Sequence, residues 1–223
     1  MRQIAGTSTA MTRMVVGMLM ATWIISWRVA ATDEIVSGTF EGSAIVKLLD
    51  GDPFITRFQL TEELLFRQAS GEVWVTPSNA ILDGRSMPTL FVQLIGNPLE
   101  SSFRKSAISY DYAVKSKYHP WRDAQRMFYD GVVTEGVARG DAKVMYLLLS
   151  ASGSRWASHG PNSCFTRCHT GHKELEWRPR VDDEKLLSLV SWVRADDPSL
   201  DDIDQRANEV IIEKGPHIFG AIR

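Results

Sequence analysis

The stretch FRKSAISYDYAVKSKYHPWRDAQRMF, residues 103–128, decides the fold class. Phe103, Ala107, Tyr110 and Val114 recur at helical spacing, so its first half predicts an amphipathic helix. Asp111 falls on the same face, which puts a carboxylate among apolar neighbours. Pro120 suits the first position of a second helix, where a missing N–H costs nothing. Ala124, Met127, Phe128, Gly131 and Val132 form the stripe of that helix, with Asp123 at its flank. A third helix follows, capped by Asp141 and built on Val144, Met145 and Leu148. Upstream the periodicity shortens. Thr39 to Leu49 and Phe54 to Phe66 flank the turn signal Asp50-Gly51-Asp52-Pro53, and Gly71 opens a short strand, Val73-Trp74-Val75, that Pro77 ends. The expected class is α+β, with a small antiparallel N-terminal sheet, then packed helices, then a C-terminal helix pair.

That pair is read from the tail. Between Asp182 and Glu213 stand ten acids against three bases, yet Leu186, Leu187, Val190 and Val193 recur at helical spacing behind a cap at Asp182 or Asp183. Ser199 caps a second helix with Ile203, Ala207, Val210 and Ile211 as its stripe and Gly215 as its stop. First-turn acids complement the helix dipole, so the acidity reads as a solvated face.

The other end reads as an export signal. Arg2 and Arg13 precede an apolar run from Met14 to Trp27, and Val29-Ala30-Ala31 suits cleavage after Ala31. Fourteen apolar residues fall short of the ~20 that a membrane-spanning helix needs, so membrane contact is expected only through this segment if it stays uncleaved. Cleavage removes three of the 25 basic residues and none of the 27 acids, taking the net charge from -2 to -5. Such a charge carries no electrostatic case for nucleic-acid binding. At 44% hydrophobic and 23% charged, the full chain has the balance of a globular protein, and the export signal makes the periplasm or cell envelope its expected place.

Four blocks occur in order: Val75-Thr76-Pro77, Asp83-Gly84-Arg85-Ser86-Met87-Pro88, Ala107-Ile108-Ser109-Tyr110-Asp111-Tyr112 and Ala124-Gln125-Arg126-Met127-Phe128, followed by Gly136-Val137. Over roughly residues 38 to 156 the chain resembles domain-of-unknown-function family 1353 of bacterial and phage proteins. The resemblance implies an α+β fold in which a His-Asp-Tyr block and an Ala-Asp block lie on successive helices. Here Tyr110 stands where that pattern has its histidine and Gln125 where it has the second aspartate. Neither exchanges protons readily near neutral pH. Asp83, Ser86 and Asp111 remain as candidate catalytic residues of an envelope hydrolase, or as a self-bonded turn on a buried polar anchor. No motif places His119 or His159 as a base beside the serine.

Both cysteines and three of the five histidines fall between His159 and His172. Cys164, Cys168 and His169 approximate a c-type haem attachment with one extra residue, with His172, His217 or an upstream residue such as Met145 as the second axial ligand. The same four side chains suit zinc or another transition metal. In an oxidising compartment Cys164 and Cys168 also suit a disulfide around a three-residue loop. The chain therefore divides into a signal peptide (1–31), an α+β domain (32–157), a Cys/His loop (158–180) and an acidic helical extension (181–223). The expected role is an exported envelope protein with a degenerate site that binds a cell-wall or protein partner. A redox or metal protein and a hydrolase are the alternatives.

Overall fold

In the computed structural model, residues 38–49, 56–156 and 176–213 are described. The signal segment, the turn at 50–53, all of Cys164, Cys168, His169 and His172, and Gly215 lie outside these residues.

Each of the two long apolar runs near the N-terminus divides. The first yields β1 (Thr39–Glu41) and β2 (Val46–Leu49), and the second yields β3 (Arg57–Leu60) and β4 (Leu64–Arg67). The halves pair antiparallel, β2 with β3 and β1 with β4, but enter different sheets. One sheet has the order β1-β4-β5, with β5 at Val73–Thr76; the other has β2-β3-β6, with β6 at Ile81–Leu82. Gly42 permits the break. Its φ is +92°, and a Cβ there would lie 2.3 Å from the Glu63 carbonyl oxygen. Opposite it, Thr61 N–H donates to the Ile45 carbonyl at 3.0 Å.

Among the described residues six α-helices follow: α1 (Thr89–Ile95), α2 (Arg104–Ser116), α3 (Trp121–Thr134), α4 (Arg139–Ser152), α5 (Asp183–Asp196) and α6 (Leu200–Ala207). The expected stripes are buried: Phe103, Ala107, Tyr110 and Val114 meet Ala124, Met127, Phe128 and Val132 in one core cluster. Phe91, Phe103 and Phe128 pack edge to face with ring centroids 5.9 to 6.4 Å apart, each pair adding ~0.5–1.5 kcal/mol beyond its area. Gly131 lets α3 approach α2, since a Cβ there would come within 2.6 Å of Ser106 Oγ. At the N-terminus of α2 no local side chain caps the helix. Glu135, just past α3, accepts the N–H groups of Lys105 and Ser106 at 3.0 and 2.9 Å.

In the tail, Asp182 caps α5 through the Lys185 N–H, which holds its carboxyl below the usual range, and Ser199 with Asp202 forms a capping box on α6. Leu186, Val190, Val193, Ile203, Ala207 and Val210 join the core of α2 to α4. β7 (Arg155–Trp156) pairs with β8 (Glu176–Trp177), and past Ala207 the chain leaves the helix and forms β10 (Ile211–Glu213) against β9 (Arg180–Val181). The acidic face contains one buried member, Asp204. It accepts from Tyr146 OH at 2.9 Å, Ser150 Oγ at 2.7 Å and Arg126 at 2.9 Å, which fastens α6 to α3 and α4.

Candidate functional site

Successive residues of α2 point about 100° apart, so Tyr110, Asp111 and Ser109 face three different surroundings. Asp111 faces the turn after β6. Its Oδ1 accepts from Ser86 Oγ at 2.5 Å and its Oδ2 accepts from Asp83 N–H at 3.1 Å. Lys115, one turn along α2, lies 3.1 Å from Asp111 and 3.3 Å from Asp83. Asp83 in turn accepts the Arg85 N–H at 3.0 Å, an Asx turn. Arg178 donates to the Arg85 carbonyl and to Ser154 Oγ. The three sequence candidates thus meet, with Asp111 and Ser86 at 2% and 4% exposure. Both oxygens of Asp111 are occupied, and the Ser86 hydroxyl is spent as a donor to a carboxylate.

Tyr110 faces α3, and Gln125 on α3 is buried beside it. Gln125 Nε2 donates to the Leu149 carbonyl at 2.9 Å. Neither Tyr110 OH nor Gln125 Oε1 has a well-formed hydrogen bond among the described residues. Burial pushes the phenol well above its usual range, and Arg178 and the nearby Gln125 amide offset this only in part. The positions where the resemblance places a histidine and an aspartate therefore hold two buried neutral groups, which do not carry a proton between states near neutral pH.

The third face of α2 lines a pocket of about 280 Å³. Ser109, Ala113 and Ser116 form one wall and the whole of β5 the other, with Tyr118 and His119 at one end. The His119 ring lies 4.0 Å from that of Trp74, its Nδ1 is 3.3 Å from Glu72, and its carbonyl accepts from Trp156 Nε1. Trp74 Nε1 donates to Gln68 at 2.6 Å, and Gln68 donates to Asp130 at 2.6 Å. Burial raises the Asp130 carboxyl, and Gln68 and Arg126 counter it. Ser109 Oγ is buried without a partner among the described residues. His119 lines this pocket and Ser86 does not. Asp123 is exposed in the first turn of α3. The sequence gives no sign of the pocket, because β5 and α2 meet only through tertiary packing. Among the described residues no three His, Cys, Asp or Glu side chains converge to hold a metal.

Residues 58–149 match the family described as "Protein of unknown function (DUF1353)", in agreement with the resemblance read from the four blocks. Two uncharacterised proteins of Sinorhizobium fredii are similar. The protein y4jT is 32% identical over 119 residues, 53% of this chain and 35% of that protein. The protein y4iH is 29% identical over 87 residues, 39% of this chain and 36% of that protein. The chain thus spans about a third of the length of these relatives. No solved structure matches.

Proposed function

We propose that this chain, whose residues 58–149 form a DUF1353 domain, is an exported cell-envelope protein that binds a partner with a site no longer built for catalysis. One observation carries the reading: Tyr110 and Gln125, buried beside each other, fill with neutral groups the positions where the family resemblance implies an ionisable pair. The saturated Asp111 adds to it. A carboxylate that is 2% exposed, and whose two oxygens accept from Ser86 and Asp83 with Lys115 3.1 Å away, is occupied in holding a turn. Export is supported by residues 1–31, which hold no acid and end in small residues.

The test uses the mature chain made in an exporting host. A fusion of residues 1–31 to a reporter that is active only outside the cytoplasm is expected to score as exported. The mature chain is expected to hydrolyse neither peptidoglycan, phospholipid vesicles nor chromogenic esters, and to be colourless with no free thiol at Cys164 and Cys168. An Asp111→Asn variant that folds like the parent while losing a measurable hydrolytic activity overturns the reading. A Soret band, or about one equivalent of bound metal, replaces it with the haem or metal alternative at Cys164, Cys168 and His169.

A further inference from the structure

We infer that the groove between β5 and α2 docks an extended peptide segment of another protein, which adds to the sheet as a new strand along β5. The inference rests on the binding reading above and supplies its site and the class of its partner.

In the order β1-β4-β5, β5 is an edge strand with β4 on one side only. Gln68 N–H donates to the Glu72 carbonyl at 2.8 Å, and the ladder alternates from that pair. Trp74 and Thr76 therefore bond to Phe66 and Leu64, while the N–H and C=O groups of Val73 and Val75 turn away from β4. Among the described residues nothing bonds to those outward groups. The groove opens on this edge, because the five consecutive residues Val73 to Pro77 all line it. A pocket lying over one face of a sheet touches only alternate residues.

Such a row of donors and acceptors, repeating every two residues, is matched by an extended main chain and by no compact small molecule. Size agrees. About 280 Å³ is just under the ~300–1,000 Å³ that encloses a drug-sized ligand, and it suits guest side chains whose main chain runs along the edge. The opposite wall holds Ser109, whose buried hydroxyl has no partner among the described residues. Bare edges are ordinarily blunted by charges, yet Val73 to Thr76 carry none, and Val75 and Tyr118 are exposed beside the groove at 45% and 71%.

The experiment pans the full chain against a displayed library of random linear peptides and resynthesises the selected ones with single N-methyl groups. N-methylation at every second position is expected to weaken binding at least ~tenfold, with the intervening positions unaffected. Val75→Pro removes an outward N–H and no bond to β4, so the variant is expected to fold and to lose binding to the same extent. Ser109→Ala is expected to keep the fold and weaken binding less. In the full chain without peptide the Val73 and Val75 amides exchange fast with solvent, and peptide slows them. Three outcomes overturn the inference: no peptide is selected; selected peptides ignore both the N-methyl pattern and Val75→Pro; or both amides are already protected in the free chain, so that its own residues 157–175 or a second copy covers the edge. None of these touches the non-catalytic reading, which falls instead to a hydrolytic activity lost in Asp111→Asn.

Discussion

Replacing Asp111 by alanine separates an anchor from a catalytic group. The substitution strands the Ser86 hydroxyl, 4% exposed, and the Asp83 N–H, both of which donate to a carboxylate that is itself 2% exposed. Hydrogen bonds to a charged acceptor contribute ~1.5–3 kcal/mol each, so the two together set a loss of about 3–6 kcal/mol. Lys115 adds little, because its side chain is 32% exposed and the ion pair is screened, at ~0–1 kcal/mol. With an m-value of ~2 kcal/mol/M, a loss of ~4 kcal/mol lowers the urea midpoint by ~2 M. Ser86→Ala alone is expected to cost ~1–3 kcal/mol, and the double variant less than the sum of the singles, with a coupling of ~1–3 kcal/mol. A residue kept for chemistry at the expense of stability behaves oppositely, since its removal often stabilises the fold. If Asp111→Ala unfolds within ~0.5 kcal/mol of the parent and shows no coupling to Ser86, the anchor assignment is refuted.

Three further expectations follow from buried groups and one backbone strain. Asp204→Ala leaves Tyr146, Ser150 and Arg126 without their shared acceptor and is expected to cost ~3–5 kcal/mol, with hydrogen exchange accelerating first in α6. Asp130 has a carboxyl raised by burial, so the folded chain holds its proton to higher pH than the unfolded chain does. Stability from this group falls as pH rises from ~3.9 through the raised value and stays lower above it. Asp130→Asn, whose carbonyl still accepts from Gln68, is therefore expected to stabilise at pH 7, with the gain vanishing below about pH 4 in pH-resolved urea melts. A gain that persists unchanged at pH 3 contradicts this. Gly42→Ala places a Cβ 2.3 Å from a carbonyl oxygen at positive φ and is expected to lower stability by ~2 kcal/mol or more in thermal melts; a neutral outcome removes Gly42 as the cause of the strand break.

The helical half is legible in the sequence because its signals are local. The stripe of Phe103, Ala107, Tyr110 and Val114 and the caps at Asp182 and Ser199 need only neighbours within a turn or two. The strand half is less so. Alternation from Thr39 to Leu49 describes one long strand, and only the close approach of Gly42 to Glu63, twenty-one residues away, divides it between two sheets. The end of the tail fails for the same reason: Val210 and Ile211 continue a helical stripe locally, but pairing with Val181 draws Ile211 into a strand. Asp204 escapes notice because one buried carboxylate in a run of solvated acids is set apart only by Tyr146, Ser150 and Arg126, fifty-four or more residues away in sequence.

The candidate site shows the same division. Lys115 stands four residues after Asp111, a spacing that places the two side chains together on any helix, whereas the contact of Asp111 with Asp83 and Ser86 spans 28 and 25 residues and is suggested only by the order of the family blocks. Tyr110 and Gln125 each have a part in holding the fold. Tyr110 packs its ring 5.5 Å from that of Phe128, and the Gln125 side-chain amide donates to the Leu149 carbonyl near the end of α4. Each residue thus has a packing or hydrogen-bonding reason to remain that is independent of proton transfer. On two faces of α2 the polar groups thus hold the turn after β6 and pack against α3, and the third face lines the groove beside the edge strand β5, where we propose that a peptide docks.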